Sequence, residues 1–506
     1  MKLKYIYNTT NISIWGLVQV LQVLLLLWLI IRSLNSLLDE GNLFTNHLSH
    51  QKIILPARTH FRAKYLYLQF IKLNLMMIDE LYALFRQHPV VTTDSRRTPQ
   101  GSIFFALKGE NFDGNQYALK ALENGCAVAV VDNPKVAVDE RFVVVDNVLK
   151  SLQQLGHYHR EQMPDKMIIQ ITGTNGKTTT KELVSTVLSQ IAPVQWTQGN
   201  LNNHIGVPLT LLTLQDDGGF GVIETGANHP GEIAALAEIV DPDMGLITNV
   251  GRAHLEGFGS FEGVKRTKGE LYRYIKEHNK IGIFLNASSP DLVEMAGTLP
   301  AVRYGLTGTE GAEVWGEVVE TNPFVKFRYR QEHVGWQVVQ THLIGAYNIH
   351  NLMTAVAVGM QFGVPFSQIN EALANYVPSN NRSEYRDTGR NHLIIDAYNA
   401  NPTSMAAAIE NFFQIKADKK LMILGDMLEL GADSVKEHQR VVDMVRESGA
   451  EVWLVGQNFA STQNDFRRFS DVEAVKSELR NNPLHDYTIL IKGSNGIRLA
   501  QLPELL

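Results

Sequence analysis

The run from Met167 to Ile191 constrains this chain more than any other stretch. Met167-Ile168-Ile169-Gln170-Ile171 has the composition of a strand. Thr172-Gly173-Thr174-Asn175-Gly176-Lys177-Thr178-Thr179-Thr180 follows it. Leu183, Val184, Val187, Leu188 and Ile191 then recur at the i, i+3 and i+4 spacing of an amphipathic helix. A strand, a glycine turn and a helix start together make a phosphate cradle. Glycine lets backbone N–H groups approach the oxygens, and the helix N-terminus adds unpaired donors and a positive dipole end. Lys177 is placed to reach β- and γ-phosphates, and the Thr178 hydroxyl to ligate Mg²⁺. The pattern G-x-x-x-x-G-K-[ST] is met incompletely, because Ile171 stands where its first glycine belongs. A plain glycine turn without a ligand is the competing reading, and the strand and helix on either side argue for the cradle.

Length and charge narrow the setting. A chain of 506 residues predicts about three domains. The formal charge of −6 argues against a nucleic-acid binder working through bulk positive charge. Cys126 is the single cysteine, so neither a disulfide framework nor a cysteine-based zinc site is expected, and a reducing cytoplasmic setting fits.

Residues 1–76 read as an extension. Ile12 to Ile31 is almost continuously apolar, interrupted by Ser13, Gly16, Gln19 and Gln22, and long enough for one bilayer span. Lys2 and Lys4 precede it, and Arg32, Lys52, Arg58, Arg62, Lys64 and Lys72 follow, a bias that leaves the downstream chain in the cytoplasm. A membrane anchor and a mis-assigned start upstream of Met76 and Met77 are both open readings. Residues 77–162 read as a small α/β domain with short strands at Ile103–Leu107, Ala127–Val131 and Phe142–Val145. Residues 163–376 hold the cradle, with strands Phe220–Glu224 and Gly245–Val250 delivering polar residues at their carboxyl ends, where open α/β sheets bind ligands. Glu224 is a candidate Mg²⁺ ligand there. His254 suits a hard, oxygen-preferring cation less well. Asn200, Asn202 and Asn203 form a polar loop suited to phosphate or amide contacts, or to simple turn chemistry. Lys265, Arg266 and Lys268 read as a basic cluster of the kind usual on a solvated helix face. Residues 377–506 alternate strands (Leu393–Asp396, Leu421–Leu424, Val452–Val455, Thr488–Ile491) with helical patterns, a second doubly wound unit.

Taken together, these stretches resemble the Mur ligases of peptidoglycan synthesis over Met77 to the C-terminus. The motifs are the short cradle Thr172–Thr178, Glu224-Thr225-Gly226-Ala227-Asn228, Ala253-His254-Leu255-Glu256-Gly257-Phe258-Gly259 and Asp396-Ala397-Tyr398-Asn399-Ala400-Asn401-Pro402. Gly425-Asp426-Met427-Leu428-Glu429-Leu430-Gly431, Asp94-Ser95-Arg96 and Ala106–Gly114 are similar to the family's dipeptide-adding branch. The resemblance implies an α/β fold in three domains, with a central P-loop parallel-sheet ATPase and a C-terminal Rossmann-like domain. It implies ATP-dependent amide ligation of D-alanyl-D-alanine to UDP-N-acetylmuramoyl-tripeptide through an acyl phosphate. The third peptide residue is left open, and a cytoplasmic monomer is expected.

Site residues follow from the same resemblance. Lys177, His254 and Lys268 would be catalytic. Gly173, Thr174, Asn175, Gly176, Lys177, Thr178, Thr179, Asn348, Arg382 and Asp396 would bind ATP. Thr178, Glu224, His254 and a carbamylated Lys268 would hold Mg²⁺, the carbamate replacing a cation by an oxygen anion. Ser95, Arg96, Asn200, Asn203, Tyr398, Asn399 and Asn401 would bind the substrates, with residues 77–162 holding the UDP-sugar and residues 377–506 the dipeptide. Two positions depart from the family pattern: Tyr347 where histidine is common, and Asn381 in place of the glycine before Arg382. Both bear on the nucleotide-base contacts. The alternatives are a sister ligase adding a third amino acid, a folylpolyglutamate synthase, and a non-catalytic membrane-tethered P-loop module. The Asp-Asn-Pro-Arg motif of the diaminopimelate-adding sister is missing, and Glu224, His254 and Lys268 beside the cradle speak against the module.

Overall fold

The structure, a computed structural model, describes residues 78–252 and 255–506. Three sheets organise it. The first is parallel, with strands β1 (Val91–Thr92), β2 (Ile103–Phe105), β3 (Val128–Val131) and β4 (Phe142–Val144) in that spatial order. Helix α1 (Val148–Glu161), capped by the Asn147 side chain, leads out of it. The buried faces of β2 and β3 carry Ile103, Phe105, Val128 and Val130 against Leu152 and Leu155 of α1.

The second sheet has nine strands: β5 (Met167–Thr172), β6 (Val194–Trp196), β7 (Phe220–Glu224), β8 (Met244–Ile247), β9 (Gly282–Asn286), β10 (Ala301–Leu306), β11 (Val314–Glu320), β12 (Lys326–Gln331) and β13 (Gln337–Gln340). Their spatial order is β13-β12-β11-β10-β9-β8-β5-β7-β6. From β6 to β11 every pairing is parallel, and β12 and β13 add an antiparallel hairpin edge. The strands around the cradle form the expected parallel sheet, and the hairpin extends its far edge. The connections after β11 are too short for crossover helices, so those strands can only return antiparallel. Helices α2 (Lys177–Leu188), α3 (Glu232–Val240), α4 (Phe261–Lys268) and α5 (Ile349–Gln361) cover the faces. Leu183, Val184, Val187 and Leu188 of α2 share one core with Leu352, Ala355, Val356 and Val358 of α5. The apolar spacing seen in the sequence is therefore the face that holds the cradle helix in place.

The third sheet runs β14 (Glu384–Asp387), β15 (His392–Asp396), β16 (Lys420–Gly425), β17 (Glu451–Val455), β18 (Arg467–Phe469) and β19 (Thr488–Lys492), ordered β14-β15-β19-β16-β17-β18. Only β14 is antiparallel. Helix α6 (Pro402–Gln414) follows β15 and starts on a full capping box, Asn401 with Ser404. The four strands read from the sequence here are all present. The short edges β14 and β18 carry arginines (Arg386, Arg467, Arg468) that hide their strand character. Among the described residues no helix is long and apolar enough to cross a membrane. The apolar run Ile12–Ile31 lies outside the described residues.

Candidate functional site

Strand β5 lies inside its sheet, between β8 and β7. Register aligns Ile171 with Glu224 and Thr172 with Ile247, so the turn after Thr172 opens between Glu224 on one side and Thr248 and Asn249 on the other. Gly176 caps α2 with φ +78°, a left-handed conformation that favours glycine. A Cβ there would stand 2.6 Å from Asn351 Oδ1. The loop is tied to its neighbours by hydrogen bonds. Asn175 N–H donates to Asn249 Oδ1 (3.0 Å), and Asn175 O accepts from Thr248 Oγ1 (2.7 Å) and Asn249 Nδ2 (3.0 Å). Lys177 curls over the turn and donates to Gly173 O (2.8 Å) and Thr174 O (3.1 Å), which centres its ammonium in the cradle. Burial pushes that ammonium down to about 8, with Glu224 opposing and the Arg382 charge adding to the fall.

Oxygen donors gather at the cradle's edge. Thr178 Oγ1 donates to Glu224 Oε2 (2.9 Å), and Asn202 Nδ2 donates to Glu224 Oε1 (2.8 Å). Thr178 and Glu224 are both buried. A hydroxyl and a carboxylate are the donor set that a hard divalent cation takes. Lys268, the last residue of α4, is only 2% exposed and lies 5.5 Å over the Phe258 ring. It does not belong to a solvated helix face, as its neighbours Lys265 and Arg266 suggested. Burial pushes it down to about 7, helped by the Lys177 charge and partly offset by Glu232 and Glu270. His254 lies outside the described residues.

A cleft of about 1280 Å³ joins this cradle to the third sheet. Among the expected site residues, Thr174, Asn175, Gly176, Lys177, Thr179, Asn200, Asn203, Glu224, Asn348, Arg382, Asp396, Tyr398, Asn399 and Asn401 line it. Gly173, Thr178 and Lys268 are buried and do not line it. Ser95 and Arg96 do not reach it. Arg96 is exposed and makes a bidentate pair with Asp94 (2.9 and 3.0 Å). From the third sheet's side, Arg382 stacks its guanidinium 3.9 Å from the Tyr398 ring centroid, and Lys492 Nζ meets Asp396 Oδ2 at 2.5 Å. The Asn175 and Asn401 amides pair reciprocally, Asn401 Nδ2 donating at 2.7 Å and Asn175 Nδ2 at 3.5 Å.

Asn348 lines the cleft, but its amide is engaged inside the protein. It donates to Ile344 O (2.8 Å) and accepts from Asn351 Nδ2 (2.8 Å), while Asn351 Oδ1 accepts from Thr180 Oγ1 (3.0 Å). Asn351 was not read from the sequence at all, and Asn249 and Lys492 only as polar groups following strands, without a role. Their signal is position: Lys492 ends a buried strand and Asn249 lies two residues past one, both at the ligand-binding edge of a sheet. Asn351 sits inside an apolar helix, where the only signal is an amide among Leu352, Met353 and Val356. Both departures from the family pattern find partners. Asn381 has φ +56°, which asparagine tolerates better than most residues in place of glycine. Tyr347 is half-buried at the cleft wall, and its hydroxyl meets Ser383 Oγ at 2.8 Å.

Comparison with known proteins agrees with this geometry. Family models match as "Mur ligase family, catalytic domain" over residues 89–163, "Mur ligase middle domain" over 171–359 and "Mur ligase, glutamate ligase domain" over 381–495. The chain is 33% identical over 426 residues to the UDP-N-acetylmuramoyl-tripeptide–D-alanyl-D-alanine ligase of Escherichia coli (strain K12), covering 82% of this chain and 93% of that one. The Bacillus subtilis (strain 168) protein of the same name is 35% identical over 426 residues, 81% and 92% of the two chains. The crystal structure of MurF from Acinetobacter baumannii superposes with a TM-score of 0.73 at 31% identity, covering 85% of this chain and 98% of that one. By family models, sequence relatives and fold alike, this chain belongs to the Mur ligase family.

Proposed function

We propose that this protein is the ATP-dependent ligase that joins D-alanyl-D-alanine to UDP-N-acetylmuramoyl-tripeptide. One observation carries the reading: the cleft unites a phosphate cradle on the second sheet with Arg382, Asn399, Asn401 and the Asp396–Lys492 pair of the third. The relatives' shared name supplies the substrates. They lend no support to a third-residue ligase, a folylpolyglutamate synthase or a non-catalytic module. A cytoplasmic setting follows from the cosubstrate, and domain limits near residues 77–162, 163–376 and 377–506 go with the three sheets.

A carboxylate and an ammonium do not condense in water, so the carboxylate must first acquire a leaving group. A carboxylate oxygen attacks the γ-phosphorus, the bond to the β-phosphate oxygen breaks, and ADP departs. The dipeptide amine then attacks the acyl carbon, and inorganic phosphate leaves from the tetrahedral intermediate. Lys177 and Arg382 neutralise charge on the transferring group, the main requirement of such a step. Thr178 and Glu224 form an oxygen-donor pair that fits Mg²⁺, with His254 and Lys268 as the family's further candidates. Bound there, Mg²⁺ would add neutralising charge at the phosphates. Lys268 fits this role only as a carbamate, and burial that brings its amine toward neutrality near pH 7 favours the nucleophilic form that carbon dioxide captures. The Asn175–Asn401 pair holds the third domain against the cradle and limits water's access to the acyl phosphate.

The test is incubation with ATP, Mg²⁺ and UDP-N-acetylmuramoyl-tripeptide. Little phosphate should appear until D-alanyl-D-alanine is added, after which phosphate release and a mass gain of two residues should follow together. Faster turnover with UDP-N-acetylmuramoyl-dipeptide and a single amino acid would reassign the chain within the family.

A further inference from the structure

Arg382 stands on a piece of backbone that needs outside support. Its neighbours Asn381 and Ser383 both adopt left-handed φ, +56° and +49°. Serine gains nothing from that conformation, and such strain persists only where the surroundings over-determine it. The support comes from two anchors on the second domain, neither of which carries a role so far.

The first is Glu182, one turn and a half beyond Lys177 on the same helix α2. Its carboxylate accepts from Tyr376 Oη (2.5 Å) and from Asn380 Nδ2, at 2.9 Å to each oxygen. These two residues bracket the segment that leads into Arg382. Burial raises the Tyr376 hydroxyl pKa, and the Glu182 charge raises it further, so Tyr376 remains a donor. The second anchor is Tyr347, whose hydroxyl meets Ser383 Oγ on the other side of the arginine. The Ala397 N–H also donates to Asn381 O (3.0 Å), which joins the segment to the loop that carries Tyr398. The guanidinium lies on the Tyr398 ring, close enough to Lys177 and Lys181 for its charge to act on both.

We propose that Glu182 and Tyr347 are positioning residues that hold Arg382 over the phosphate cradle. Glu182 and Lys177 share one helix, so the cradle lysine and the third domain's arginine are referred to a single rigid element. The inference rests on the reading of Arg382 as a nucleotide-binding group. It also gives both departures from the family pattern a purpose: Asn381 supplies the left-handed turn, and Tyr347 supplies the hydroxyl that steadies Ser383.

The experiment is a set of double-mutant cycles on the full chain. Glu182→Ala, Glu182→Gln and Tyr347→Phe are made alone and with Arg382→Ala. Each is assayed for kcat and KM with ATP, for melting temperature, and for affinity by titration with a fluorescent ATP analogue. Arg382→Ala should lower kcat/KM for ATP about 100-fold. Glu182→Ala and Tyr347→Phe should each cost about tenfold alone and less than twofold in the Arg382→Ala background. Glu182→Gln keeps an acceptor for Tyr376 and Asn380 and should recover most of the loss. Equal losses in both backgrounds, or no loss at all, would overturn the proposal while leaving the role of Arg382 intact. Full activity of Arg382→Ala would overturn the proposal together with the reading beneath it. The titration closes the same cycle without ligation, so a wrong acceptor substrate would not disguise either result.

Discussion

Replacing Gly176 by alanine separates what a left-handed turn costs from what the cradle's neighbours demand. Two glycines in the chain share nearly the same φ, Gly176 at +78° and Gly363 at +76°. Beside Gly363, which follows α5, a new Cβ meets nothing within 4 Å. Gly363→Ala should therefore cost only backbone strain, about 1–2 kcal/mol. At Gly176 the same methyl would lie 2.6 Å from Asn351 Oδ1 and 3.2 Å from its Nδ2. Asn351 cannot retreat freely, because it joins Thr180 to Asn348 from inside α5. Displacing it gives up two buried hydrogen bonds, about 1 kcal/mol each. Gly176→Ala should thus cost roughly 2 kcal/mol more than Gly363→Ala. If the turn yields instead of Asn351, that difference falls on nucleotide binding, about 30-fold in ATP affinity. Melting temperature and ATP titration of both variants report the two terms. Equal ATP affinity and equal stability in the pair would refute the argument that Asn351 sets the shape of the cradle.

Other expectations follow from the same geometry. Lys177→Met should lower turnover by two or more orders of magnitude with little change in melting temperature, read by phosphate release and calorimetry, because the ammonium acts on phosphate charge. Lys268 has a folded-state pKa of about 7 against 10.5 for an unperturbed lysine, so its buried ammonium weakens the fold below pH 7 and the penalty lifts as pH rises toward 10.5. In buffer depleted of carbon dioxide, Lys268→Met should raise the melting temperature most at pH 6 and progressively less above pH 8, and a gain that grows with pH would contradict this. Asn401→Ser keeps the cap of α6 but cannot reach Asn175, whereas Asn401→Ala loses both. Both variants should slow turnover, and only the alanine should also lose about 1 kcal/mol of stability in melting experiments.

Much of this fold was legible because its signals are local. The cradle strand, its turn and its helix are contiguous, and the apolar spacing of Leu183 to Leu188 correctly named the face that packs on α5. The buried strands of the third sheet were equally plain. Short edge strands such as Glu384–Asp387 were not, since one face of each meets solvent and their charges blur the pattern. Lys268 shows the limit of reading one residue at a time. Beside Lys265 and Arg266 it resembles a surface lysine, yet Lys265 pairs with Asp291 and Glu294 while Lys268 turns inward over Phe258. Asn351 and Glu182 matter through partners far away in sequence, which no spacing rule reveals.

The amide pair between Asn175 and Asn401 bridges 226 positions of sequence. On a ribosome adding about 5–20 residues per second, the second half of that pair emerges roughly ten to fifty seconds after the first. Late in that interval, once Glu224, Thr248, Asn249 and Asn351 have followed, the nascent chain owns a phosphate cradle and no third domain to close it. Any ATP bound then would face bulk solvent, with neither Arg382 nor the acceptor loop present. Synthesis order thus places the energy-supplying half of the site first and its consumer last. A chain interrupted before Asn401 would carry a nucleotide pocket with nothing to couple it to.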